Sequence, residues 1–197
     1  MLLTAYRFAW TVAGTTTGGT TAPQWVAPKT TAHLSARLAG LAPGTTYRYE
    51  LVGVNADGTG SSTPIAFTTS QDRTKPVLSL LRVAPAIFRA AKGTTISFTL
   101  SETATTTLRF DRVLPGVRRG RRCVARTARR RGRACTRYIP VVGSVAVIGK
   151  LGANSIRFDA KVAGKALRPS AYRLRAAPKD ASGNVGKTVI TALRVRR

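Results

Sequence analysis

Acidic side chains are scarce in this chain. Only 7 Asp and Glu stand against 33 Lys and Arg among 197 residues. Glycoside hydrolysis needs two carboxyls flanking one bond, and nothing in the sequence marks such a pair. Glu50, Asp111 and Asp159 fall at the polar phase of alternating segments, which predicts solvated strand faces. Asp57 and Asp180 sit in Gly-containing turns, where Asp bonds its own backbone. Glu102 ends an alternating segment and is read as bonding a neighbouring amide, and Asp72 lies in a polar connection. The single histidine, His33, precedes Leu34 at a strand start and reads as a surface residue rather than a base. A P-loop, a G-x-S-x-G elbow and a dinucleotide fingerprint are all missing. The expectation is a protein without catalysis, metal or cofactor.

Cysteine is rarer still. Cys123 and Cys135 are the only two. Zinc takes three or four ligands, usually in close C-x₂₋₄-C pairs, and this spacing does not supply them. A local Cys123–Cys135 disulfide is the better reading, and it implies an oxidising compartment. No apolar run approaches the 18 residues of a membrane-spanning helix. The opening "MLLTAYRFAWTVAG" lacks the basic start of a signal peptide, and Arg7 breaks its apolar run. Tyr6, Phe8 and Trp10 alternate with Arg7 and Ala9, so the segment reads as a strand.

A sustained 3.6-residue period is missing as well; what recurs is strand alternation between Gly, Pro, Asn and Asp turns. "AHLSARLAGL" places Leu34, Ala36 and Leu38 on one face, and "TYRYELVGV" places Tyr47, Tyr49 and Leu51 together. After the polar "SQDRTKP", "TTISFTL", "TTTLRFD", "NSIRFDAKV", "AYRLRAA" and "VITALRV" repeat the pattern. Short strands with such turns predict an all-β chain of two tandem antiparallel β-sandwiches. Trp10 and Trp25 are candidates for a sugar-stacking platform, with packing against a sheet face as the alternative.

Charge is unevenly placed. Residues 1–70 hold four basic and two acidic residues, and the remaining 29 basic and five acidic residues follow. In "GVRRGRRCVARTARRRGRAC", residues 116–135, nine of twenty are arginine. Arg118, Arg119, Arg121, Arg122, Arg126, Arg129, Arg130, Arg131 and Arg133 are the candidate polyanion-binding residues, with a disulfide-stapled surface loop as the other reading of the stretch. Their field favours acidic polysaccharide, wall polymers or nucleic acid. No aromatic residue is interleaved among them and no nucleic-acid-binding motif is present, so any nucleic-acid binding is expected to be nonspecific and salt-sensitive.

The run "LAGLAPGTTYRYELVGVNADGTGSSTPIAFTT" resembles the C-terminal half of a bacterial fibronectin type III domain, through Leu41, Pro43, Gly44, Thr45, Tyr47, Asn55, Gly58 and Phe67-Thr68-Thr69. The resemblance implies a turn at Pro43-Gly44 and a tyrosine corner at Tyr47. It also implies that residues 1–70 lack the first two strands of such a domain, so that the N-terminus is expected to be incomplete. "YRLRAAPKDASGNVG", with Tyr172, Leu174 and Ala176 on one face and Asp180, Gly183 and Asn184 in the turn, resembles an immunoglobulin-like module of bacterial surface proteins. The organisation expected is a fibronectin type III-like unit at 1–70, a linker at 71–75 and an Ig-like sandwich at 76–197, with a disulfide-closed basic insertion at 112–137. Such modules imply a non-catalytic extracellular or cell-envelope role as spacer, adhesion unit or polysaccharide binder. The alternatives are accessory domains of a larger secreted polysaccharide-degrading hydrolase, whose other domains would be partners, and a nonspecific nucleic-acid binder.

Overall fold

β-Branched and aromatic residues recur in the longer strands, such as Thr4–Val12, Thr46–Asn55 and Thr94–Leu100, and the described residues contain no helix. The structure is a computed structural model describing residues 4–27, 32–128 and 132–197. The chain divides into two compact units, Met1–Asp72 and Arg73–Arg197.

Unit 1 holds β1 (Thr4–Val12), β2 (Gly18–Thr20), β3 (Gln24–Val26), β4 (Thr46–Asn55), β5 (Gly58–Ser61) and β6 (Ile65–Thr68), all in one antiparallel sheet. β1 and β4 pair from Ala5↔Val54 to Val12↔Tyr47. β2 and β3 share the outer edge of β1, and β5 and β6 share that of β4. Directly paired residues share a face, so Tyr6, Phe8, Trp10, Tyr47, Tyr49 and Phe67 lie together. Their rings touch: Trp10 and Tyr47 are 5.6 Å apart, Tyr47 and Phe67 5.7 Å, and Phe8 and Tyr49 6.1 Å. Leu34, Leu38 and Leu41 border a groove with Phe8, Tyr49 and Phe67 on this face.

The strand expected at "AHLSARLAGL" does not form; residues 32–39 carry no strand. The outer strands β2, β3, β5 and β6 pair only with β1 and β4, and the described residues of this unit contain no second sheet to take this segment up. The leucines therefore reach the aromatic face from irregular chain. Trp25 pairs with Ala5 and Trp10 with Tyr49, so the two tryptophans stand on opposite faces of the sheet. They cannot form one stacking platform.

Unit 2 holds β7 (Leu78–Ala84), β8 (Ile87–Arg89), β9 (Thr94–Leu100), β10 (Ala104–Arg119), β11 (Arg122–Ala125), β12 (Ala134–Pro140), β13 (Val145–Gly149), β14 (Gly152–Phe158), β15 (Lys161–Val162), β16 (Lys165–Ala166), β17 (Ser170–Lys179) and β18 (Val189–Arg196). β14, β9 and β7 make one sheet. The larger sheet is built around β10 and runs through β17 and β18 to β8, which joins in parallel. Ile96, Phe98 and Leu100 face Leu108, Phe110, Leu174 and Ala176 in a single core. Phe110 and Phe158 stack across the two sheets at 4.8 Å. This is an antiparallel β-sandwich, and its closed core explains the alternation of buried residues along β9, β10 and β17.

β10 is sixteen residues long and outruns the sandwich. Residues 105–113 pair with β17, while residues 111–117 pair with β12 and 116–119 with β11. Its far end is therefore the central strand of a projecting hairpin.

Candidate polyanion-binding hairpin

The turn between β10 and β11 is two residues, Gly120-Arg121, closed by the Arg119↔Arg122 pair. Gly120 has φ +57 at the first turn position, the type II′ pattern that matches strand twist. The chain then returns through β12, whose pairs with β10 overlap those of β17 at 111–113 and those of β11 at 116–117. β12 thus occupies one edge of β10, and β17 and β11 occupy the other.

Cys123 on β11 and Cys135 on β12 are disulfide-bonded, with Cα atoms 6.0 Å apart. Strands two places apart in a flat sheet stand about 9–10 Å apart. The three-strand ribbon is therefore rolled, and the disulfide crosses over Gly116, the residue paired with both Ala125 and Cys135. A Cβ at Gly116 would lie 2.7 Å from Cys123 Sγ, so the crossing requires a glycine there. The Arg118 N–H donates to Arg133 O at 2.8 Å and holds the far end of the roll.

Arg118, Arg121 and Arg133 line a trough together with Cys123, Cys135 and Thr136. All three arginines are exposed, as are Arg119, Arg122 and Arg126. Arg129, Arg130 and Arg131 lie outside the described residues. Arg119 and Arg122 are directly opposed across the ladder, an arrangement that repels. Guanidinium groups so placed offer forked donors to sulfate, carboxylate or phosphate oxygens. Among the described residues the trough is lined by arginines, the disulfide, Gly120, Ala134 and Thr136.

Beneath the hairpin lies an ion cluster that the sequence pattern concealed. Asp111 was expected on a solvated face; it is instead 1 % exposed. Arg173 Nε and Nη2 donate to Asp111 Oδ2 at 3.0 and 2.7 Å, and Arg175 Nη2 donates to Oδ1 at 3.1 Å. Arg173 also stacks on Tyr138 of β12, 3.6 Å from the ring centroid. The register Asp111↔Arg173 makes this cluster. The only sequence signal was one acid on a strand and two arginines two residues apart on another.

The turn residues have structural places. Gly44, φ +59, donates its N–H to Ser70 O at 3.0 Å just after Pro43. The Tyr47 hydroxyl accepts from the Ala42 N–H at 2.8 Å. In unit 2 the Tyr172 hydroxyl donates to Arg168 O at 2.7 Å, and burial pushes its pKa up. Asp180 accepts from the Asn184 amide and from its side chain, both at 2.8 Å. Burial would raise the Asp180 pKa, but these bonds, with those from the Gly183 and Ser182 amides, outweigh it and hold the carboxyl below its ordinary value. His33 is exposed.

No helix of the described residues is long and apolar enough to cross a membrane. No family model matches the chain, and no curated protein matches it. Among solved structures the chain is similar to the crystal structure of chicken CNTN1 FN1-FN3 domains, with 12% sequence identity and a TM-score of 0.32. That alignment covers 97% of this chain and 56% of the other, so the chain spans little more than half the length of that structure.

Proposed function

We propose that the chain is a non-catalytic extracellular or cell-envelope module that binds acidic polysaccharide through its arginine hairpin. The observation that carries this reading is the trough in which Arg118, Arg121 and Arg133 surround the Cys123–Cys135 disulfide. Covalent closure fixes like charges together against their own repulsion, which pre-organises an anion site and lowers the ordering cost of binding. A structural disulfide belongs to an oxidising compartment, which supports placement outside the cytosol. Ig-like sandwiches serve as spacer and binding units, and the two packed sheets of unit 2 fit that use.

The test is binding to polygalacturonate, a polyuronate, by fluorescence anisotropy across a salt series. The variant Arg118→Ala/Arg121→Ala/Arg133→Ala is expected to bind several-fold more weakly at low salt, with a shallower salt dependence. Unchanged affinity in a folded variant would remove the hairpin from the site.

A further inference from the structure

A second basic surface lies on the outward face of the large sheet of unit 2, away from the hairpin trough. β10 and β17 turn Leu108, Phe110, Leu174 and Ala176 into the core, so the residues between them face out. The register then sets Arg109 directly opposite Arg175 and Thr107 opposite Ala177, with Lys179 one pair further on. Arg194, from β18, shares this face, since it pairs with Ala171. Like charges directly opposed across a ladder destabilise it. Asp111 occupies Arg175, while Arg109 and Lys179 have no side-chain partner among the described residues.

These groups border a groove of about 330 Å³ lined by Thr107, Arg109, Arg175, Ala177, Lys179, Val185 and Thr188. Its floor is small and aliphatic, its rim offers two hydroxyls, and its cations flank the Thr107↔Ala177 pair. Arg109, in register with Arg175, and Lys179 stand four residues apart along the ladder, which is about 13 Å at strand rise. That spacing suits charges carried at intervals along a chain rather than one small ion. The apolar floor suits the C–H face of a sugar ring, and the threonines suit its hydroxyls. The lining holds no aromatic ring on which a base would stack.

We infer that this groove is a second binding site, for an acidic polysaccharide whose carboxylate or sulfate groups are held by Arg109 and Lys179. It takes its ligand class from the reading proposed for the hairpin but none of its residues, so the two fail separately.

The experiment compares four proteins on polygalacturonate, heparin and duplex DNA, by anisotropy over a salt series. They are the wild type, Arg109→Thr/Lys179→Thr, Arg109→Lys/Lys179→Arg and the triple hairpin variant. Threonine keeps strand propensity at exposed positions, and circular dichroism with thermal melting verifies the fold. Arg109→Lys/Lys179→Arg keeps the charge and is expected to restore binding. The expected result is a loss of roughly fivefold or more in polysaccharide affinity for the groove variant. The salt slope should also fall by about 1.5, near 0.7–0.9 per contact removed. Wild-type affinity in the groove variant, with loss in the hairpin variant, overturns the groove alone. Loss in the groove variant with wild-type binding in the hairpin variant supports the groove and overturns the hairpin reading. A loss confined to duplex DNA makes the groove a nucleic-acid surface and overturns the proposal. A wild type that binds neither polysaccharide overturns both.

Discussion

Cys123 and Cys135 are bonded to each other from opposite edges of the same strand. Their link passes over Gly116, the one position on β10 where no side chain stands in the way. The roll of the hairpin and the identity of residue 116 are thus one constraint. Gly116→Val places carbon into the space of Cys123 Sγ and Val124 O, each 2.7 Å from an ideal Cβ. The expected outcome is loss of the disulfide under oxidising conditions, read as two labelled thiols by intact mass. A fully oxidised variant would contradict the crossing. Cys123→Ser/Cys135→Ser, which opens the same loop without overpacking, is expected to cost up to about 3 kcal/mol in the chain-entropy account. The core lies elsewhere, in residues such as Phe98, Phe110 and Leu174, so unit 2 should still fold.

Asp111 accepts hydrogen bonds from two arginines at one buried position. Asp111→Asn leaves Arg173 and Arg175, neighbours on one face of β17, without their shared acid. Both arginines are about a third exposed, so solvent screens part of the loss. The expected destabilisation is about 1–3 kcal/mol by urea denaturation. A change below the error of that measurement would mean the cluster is only a surface feature.

The depressed Asp180 pKa predicts a pH window. Its stabilising contribution is fully present above the unfolded carboxyl pKa of about 3.9. It is lost as pH falls from there through the lower folded value, because the Asn184, Gly183 and Ser182 donors bind only the charged form well. Asp180→Asn is therefore expected to destabilise at pH 6 and to converge on the wild type near pH 2. Equal differences at both values would show that the charge is irrelevant to the turn.

Two tyrosines anchor their own strands through hydroxyl bonds to upstream backbone, Tyr47 to the Ala42 N–H and Tyr172 to Arg168 O. Tyr→Phe at either position should cost about 0.5–1.5 kcal/mol. Both tryptophans lie in unit 1, and Trp10 touches Tyr47. Tyr47→Phe should thus shift the denaturation midpoint seen by tryptophan fluorescence, whereas Tyr172→Phe should shift the circular dichroism transition. An unshifted midpoint in both would make the hydroxyl bonds dispensable.

The sequence by itself determined the class of structure. Alternation is a local property of the strand, with a period of two, so Ile96, Phe98 and Leu100, or Tyr172, Leu174 and Ala176, announce a buried face without knowledge of their partners. It also determined that Cys123 and Cys135 had only each other. Tertiary structure decided what depends on register and on available edges. Leu34, Ala36 and Leu38 alternate as well as any strand, yet no ladder edge receives them. Trp10 and Trp25 became separate because pairing with Tyr49 and Ala5 sent them to opposite faces. Asp111 was buried, and Arg109 and Lys179 were brought to one groove, by the alignment of β10 with β17. Register is set by contacts between residues some seventy positions apart, and no local pattern encodes which arginine will stand opposite which acid.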